Sequence, residues 1–264
     1  QDHTEATLRH TYNLSYGPDS PTSVDTGVKT FSQWTNNLDL TRAFDFGLAK
    51  PTQISWGLEQ RYENYKIGKG DYASYASGPF DTGVSGNPIA PGTISGAGTT
   101  PADADQKGRT SLAAYGEIGQ DLTDKWHVDL AGRYEHYNDG SGTTTNGKIA
   151  TRYQLTPILA VRGSVSTGFR APSLAQQIYS STSQTSVNGN LFNYRNVAVD
   201  SEVAKALGAT TLKPEKSTNF ALGLTLQPTD ATSITLDAYQ IKIKDRIDQT
   251  GYLGGTPQID AILG

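Results

Sequence analysis

The residues that could do chemistry in this 264-residue chain are dispersed. Its four histidines, His3, His10, His127 and His136, are scattered along the chain. His136 reads as an interfacial or loop contact near a strand end. Ser, His and Asp all occur, but no nucleophile-elbow pattern does. Asp103 and Asp105 lack the ordered acidic loop and terminal Glu of a Ca²⁺ site, so they read as solvated loop carboxylates. The glycines within 95–99 precede no helical pattern, which argues against a phosphate cradle. Cysteine is absent, which excludes disulfides and thiolate sites. A net charge of −4 argues against nucleic acid as the main partner. The expectation is a protein that is not an enzyme and holds neither metal nor cofactor.

What remains is charge and aromatic surface. Arg133, Arg162 and Arg170 share strand parity with other polar residues. Their sharper role is contact with a ligand or with a polar element that fills a lumen. Their plainer role is cross-strand pairing with Glu117, Glu135 or Glu215. Two long polar segments carry the other candidates. Tyr72, Tyr75 and Phe80 lie in the first, and Tyr179, Phe192, Tyr194, Arg195 and Lys205 in the second. Such side chains can close over a flat or amphipathic ligand, or can pack the loops together.

The elements that must position them are strands. Residues 159–170 alternate strictly, with Leu159, Val161, Val165, Thr167 and Phe169 on one face and Arg162, Ser164, Ser166 and Arg170 on the other. Pro172 lacks a ladder N–H and ends the run. Similar alternation predicts strands over 3–16, 31–44, 53–65, 109–122, 126–137, 148–155, 215–227 and 233–247. In 109–122 the polar parity falls to Tyr115, Glu117 and Asp121. In the last strand the phase of Ile234 and Leu236 conflicts with that of Ile241 and Ile243, which predicts a bulge near Tyr239. Residues 202–207, EVAKAL, predict one or two helical turns.

Alternation alone fits a soluble sandwich as well as a membrane barrel. Three features favour the barrel. The strands are long, where globular strands run about five or six residues. Connections alternate between short (45–52, 123–125, 156–157, 228–232) and long (17–30, 66–108, 138–147, 169–213), as in outer-membrane barrels. Trp34 and Phe44 sit ten residues apart on one face, about 25 Å along a tilted strand. The opposite face, with Glu59, Arg61, Glu63, Asp129, Arg133 and Glu135, is too charged for a dry core. No run of about 18 apolar residues provides a membrane helix, and QDHTEATLRH has no signal-peptide core.

The segments AAYGEIGQDLTDKWHVDLAGRYEHY, VRGSVSTGFRAPSL, LKPEKSTNFALGLTLQP and LDAYQIKIKDRI, in this order and spacing, resemble successive pieces of the β-barrel of TonB-dependent outer-membrane receptors. Residues 1–114 fit by pattern alone. The resemblance implies an all-β fold: about nine antiparallel transmembrane strands of a larger, 22-stranded barrel with a plugged lumen. It implies energised import of a scarce nutrient, such as an iron–siderophore, across the bacterial outer membrane. The partners implied are the TonB complex, reached through a plug not seen in this sequence, outer-membrane lipid and lipopolysaccharide, and the small-molecule nutrient. The long loops would be extracellular and the short turns periplasmic. Nine strands are too few to close a bacterial barrel, so 1–264 reads as part of a longer receptor. A passive porin-type channel and a soluble β-rich binding domain stay open as alternatives.

Overall fold

The computed structural model describes residues 2–48, 50–84, 86–187, 190–251 and 253–254, with side chains outside 184–193. Nine strands form one antiparallel sheet in the order β1-β2-β3-β4-β5-β6-β7-β10-β11. They are β1 (Asp2–Arg9), β2 (Ser23–Phe44), β3 (Thr52–Gly68), β4 (Asp105–Thr123), β5 (Trp126–Tyr137), β6 (Thr143–Thr156), β7 (Leu159–Arg170), β10 (Glu215–Thr229) and β11 (Thr232–Lys244). Between β7 and β10 a hairpin of β8 (Ser181–Val187) and β9 (Asn190–Asn196) forms a second, two-stranded sheet. Three short helices sit in the long connections: α1 (Tyr72–Tyr75), α2 (Leu174–Ile178) and α3 (Glu202–Ala206). The helix α3 falls within the EVAKAL segment read as helical.

The sheet is inside out relative to a globular core. Trp34 and Leu236 are each 68% exposed and Leu222 is 61% exposed, whereas Glu135 is 2% and Arg109 5% exposed. Period-2 alternation carries Trp34, Leu38, Leu40 and Phe44 of β2, Trp56, Leu58 and Tyr62 of β3, and Leu222 and Leu224 of β10 to one face. Most of the charged residues of β3, β4 and β5 take the other. No helix among the described residues is long and apolar enough to cross a membrane.

The strands depart from the sequence expectation mainly by extending past the bilayer-length segment. β2 begins at Ser23, so residues 23–30 are strand rather than loop; they pair with β1 and, from Val28, with β3. β3 continues to Gly68, β4 starts at Asp105, and β6 starts at Thr143. These tips lack the regular apolar alternation, and their Val24 and Ile67 are buried, each 2% exposed. A strand over 3–16 is corrected to one that stops at Arg9. His10 has φ 53°, and the Asn13 side chain accepts the Ser15 N–H at 3.0 Å and caps a 3-10 turn over Leu14–Asp19. That local bond competes with ladder pairing. His10, Tyr12 and Leu14 are therefore not on the apolar face of a strand.

The bulge expected near Tyr239 is absent. Pairing of β10 with β11 runs unbroken from Lys216↔Lys244 to Leu226↔Ile234. Ile234 and Leu236 take the apolar face, while Tyr239, Ile241 and Ile243 share the parity of Asp237 on the charged face. Phe169 is also corrected: despite its apolar parity it packs edge-on against Tyr137, centroids 6.2 Å apart, at the top of the charged face.

Candidate functional site

The charged face is a ladder of ion pairs whose rungs the register sets. On β3, β4 and β5, every second residue from Glu59 to Glu63, from Arg109 to Glu117 and from Asp129 to Tyr137 points the same way. At the end bearing the long connections, Arg109 donates to Glu63 from Nε at 2.9 Å and Nη2 at 2.6 Å, and from Nη1 to the Pro172 carbonyl at 2.7 Å. Its Nη1 lies 3.5 Å from Asp139, and its guanidinium lies over the Tyr137 ring at 5.0 Å. Arg133 bridges Glu59 at 3.2 Å and Glu135 at 2.8 Å, and Arg61 pairs with Glu59. Further along, the Tyr115 hydroxyl donates to Asp39 across two strands. It can do so because Gly57 lies between them: a Cβ there would meet the Tyr115 ring at 2.5 Å.

The two arginines of the central strand have different partners. Arg170 donates to Glu215 twice at 3.0 Å, one of the pairings expected. Arg162 grips Asp237 through Nη2 at 2.8 and 2.7 Å rather than any of the three glutamates expected. That clamp lies over Gly223, where a Cβ would come within 2.2 Å of Asp237. Glu117 is exposed on this face. At the end with the short turns, His127 sits between Asp121 at 2.7 Å and Asp129 at 2.9 Å, and Lys50 reaches Asp121 at 3.0 Å.

Between Arg109 and Arg170 the face opens into a cavity of about 760 Å³, lined by Phe31, Tyr65, Tyr137, Phe169 and Leu174 as well as the charges. The Arg61 Nε and Glu135 Oε1 atoms are buried there without a hydrogen-bond partner among the described residues.

The long connections are knit rather than loose. Asp103, read from sequence as a solvated carboxylate, is 1% exposed. It accepts from Ser180 at 2.6 Å, Thr100 at 2.8 Å, Thr182 at 2.9 Å and Arg195 Nε at 3.1 Å, so it ties the first connection to the hairpin in the second. Burial pushes its carboxyl pKa up, but these hydrogen bonds and the Arg195 charge outweigh that and hold it below the ordinary value. Arg195 also donates to the Ala102 carbonyl at 2.8 Å. The first connection is pinned in turn to the 3-10 turn: Asn13 Nδ2 donates to the carbonyls of Ala73 at 2.9 Å and Ala76 at 2.8 Å.

Of the aromatic candidates, Tyr72 and Tyr75 meet edge-to-face at 5.6 Å, Phe80 lies against Gly17, and Lys29 sits over the Tyr179 ring at 5.4 Å. Tyr194 lies on β9, and the side chain of Phe192 is outside the described residues. Lys205 lies on α3. Sequence reasoning missed Arg109, Asp139, Asp237 and Asp39. Arg109 and Asp237 could have been found by parity, Arg109 through Ser111 and Tyr115, and Asp237 as an acid between Leu236 and Ala238. Asp139 lies in a turn, where no period exists to read.

Comparison with known proteins fits this geometry. Over 138 residues the chain is 28% identical to the iron-regulated outer membrane virulence protein of Vibrio cholerae serotype O1, covering 52% of this chain and 19% of that protein. The chain thus spans about a fifth of that relative. Among solved structures it resembles the siderophore receptor PirA from Acinetobacter baumannii, with TM-score 0.56 and 19% identity over 83% of this chain and 28% of the receptor. It also resembles a variant of the ferric enterobactin receptor PfeA from Pseudomonas aeruginosa, with TM-score 0.55 and 14% identity over 86% of this chain and 28% of the receptor. At such identities these structures establish the fold alone: a segment of an antiparallel β-barrel. The "TonB dependent receptor-like, beta-barrel" family matches residues 1–260, and the chain belongs to it.

Proposed function

We propose that this chain is barrel wall of a receptor that imports a ferric siderophore or similar scarce nutrient across the outer membrane, with energy from TonB. The long connections face the medium and the short turns the periplasm. The observation that carries this reading is the cavity of about 760 Å³ on the charged face, with aromatic rings and arginines on its wall and Ala171, Ser173, Leu174 and Ala175 of the second long connection among its lining. That volume lies within the range of small-molecule sites, about 300–1,000 Å³. Arg170 and the lumen aromatics offer charge and flat surface to an anionic, ring-bearing iron chelate. The relatives named as siderophore receptors support the choice of cargo. The unpartnered Arg61 Nε and Glu135 Oε1 support contact with a further polar element, such as a plug, because buried polar atoms without partners are costly.

The interlocking changes how the loops act. Tyr72, Tyr75, Phe80, Tyr179 and Tyr194 act as parts of one linked loop set, which Arg195 anchors through Asp103. The test is direct binding. Purified full-length protein would be titrated with ferric and iron-free siderophores, with tryptophan fluorescence read out. Tight binding of the ferric form is expected, weakened by Arg170→Ala and by Tyr179→Ala, the tyrosine variant without change in barrel melting. No binding to any ferric chelate, with free passage of small sugars through the reconstituted protein, would replace this reading with the porin one.

A further inference from the structure

Asn13 uses its whole hydrogen-bonding capacity in a place that solvent does not reach, at 0% exposure. A carboxamide can accept twice and donate twice. The Asn13 Oδ1 accepts from the Ser15 N–H at 3.0 Å and the Ser15 hydroxyl at 2.6 Å. Its Nδ2 donates to the Ala73 carbonyl at 2.9 Å and the Ala76 carbonyl at 2.8 Å. The amide has one possible orientation, because the two carbonyls can only accept.

Those carbonyls belong to α1 and its C-terminal cap. A helix of four residues has almost no stability of its own, and its last carbonyls lack partners within it. The direction of its side chains is therefore set by what holds its end, and Asn13 does so from 60 residues earlier in the chain. The helix carries Tyr72 and Tyr75, whose rings meet edge-to-face 5.6 Å apart, and Tyr72 stays exposed. The acceptor side of the same amide fixes Ser15. Ser15 holds the next aromatic: its hydroxyl accepts the Gly78 N–H at 2.7 Å and its carbonyl the Phe80 N–H at 2.9 Å.

We propose, on the ferric-chelate reading above, that Asn13 is a positioning residue whose two N–H donors aim Tyr72 and Tyr75 at the ligand. Asn13 is too deeply buried to touch a ligand itself. Without its donors α1 takes several orientations, and a chelate binds only the fraction that is correctly aimed. The complex, once formed, keeps the same contacts, so the loss falls on association.

Asn13→Asp tests this at constant shape. It keeps an acceptor for Ser15 and replaces the two donors by an oxygen that faces two carbonyl oxygens. Full-length protein in mild detergent would be mixed with a ferric tris-catecholate and with a ferric tris-hydroxamate, and association and dissociation followed by stopped-flow tryptophan fluorescence. Hydrogen exchange would be read at the Ser74 and Ala76 amides, which close α1 onto the carbonyls of Asp71 and Tyr72. Association is expected to slow about tenfold, with dissociation changed by less than about twofold and exchange about tenfold faster. Heat-modifiable gel mobility should stay that of the wild type. In a Y72A/Y75A background, N13D should weaken binding no further, because residues that act through one another are not additive. Wild-type association and exchange in N13D would overturn the proposal. So would an equal loss of binding without the two tyrosines, which would make Asn13 a general support of the loops. A variant whose barrel does not fold would also overturn it, since Asn13 would then hold the wall. If neither chelate binds the wild type, the transport reading falls and exchange alone decides: fast exchange in N13D upholds the positioning of α1, and wild-type exchange overturns it.

Discussion

Replacing Arg109 by Met tests whether the lumen ladder holds the barrel wall together. The Arg109 side chain is 5% exposed, and its partners Glu63 and Asp139 are 12% and 7% exposed. Methionine keeps much of the volume and removes the charge. Glu63 would lose two bonds from one guanidinium, Asp139 would lose its nearby cation, and the Pro172 carbonyl would lose the nearer of its two donors, keeping only Gln177 at 3.5 Å. Breaking a buried pair on one side costs about 3–5 kcal/mol, because the surviving carboxylate is left uncompensated. Removing both members is far milder, so E63M/R109M should recover most of that loss. Lysine at 109 keeps the charge but not the fork, and should fall in between. The assay is reversible urea unfolding of the full-length protein in lipid vesicles, followed by tryptophan fluorescence and heat-modifiable gel mobility. A loss under about 1 kcal/mol for R109M, the level of an exposed pair, would refute the reasoning. So would a double variant no more stable than the single one.

Other outcomes follow from the same geometry. Leu224→Arg places a charge on the lipid face and should cost about 2–4 kcal/mol near the midplane, while Thr225→Arg, on the lumen face, should cost much less; unfolding in lipid compares the two. Gly57→Ala should cost about 1–3 kcal/mol, because its Cβ would meet the Tyr115 ring at 2.5 Å and the Leu38 carbonyl at 2.7 Å. Gly116→Ala, whose nearest atom is 3.7 Å away, should be close to neutral in the same melting assay. Asp103 has a lowered pKa in the folded loops, so its contribution is complete above the unfolded value of about 3.9 and is lost as pH falls through the lower folded value. Hydrogen exchange at the Ser181–Asn196 ladder should thus stay slow at neutral pH and speed up only at strongly acid pH. Asp103→Asn should exchange quickly throughout.

The wall of the barrel was legible because lipid on one side and polar lumen on the other write a period of two into every spanning segment. Leu222 against Asn219 and Trp126 against Asp129 are sufficient to set the faces. The signal fades beyond the apolar band. Residues 23–30 and 143–147 pair as strand without regular apolar alternation, and Val24 and Thr144 are buried there. At β11, Ile241 and Ile243 lie on the lumen side without a bulge, because the parity of apolar residues marks a face only where that face is uniformly apolar. The loop network was the least legible part. Asp103 finds Thr100 three residues away but Ser180, Thr182 and Arg195 more than seventy residues on, and no local pattern encodes a contact at that separation. The same holds for Asn13 and the carbonyls of Ala73 and Ala76.

The most direct test of the whole account is uptake of radiolabelled ferric siderophore by iron-starved cells that express the full-length protein as their sole receptor. With functional TonB, iron should accumulate saturably. Without TonB, the siderophore should still bind at the surface, but accumulation should stop. Accumulation that continues without TonB and rises linearly with concentration would contradict the account and make the protein a passive channel.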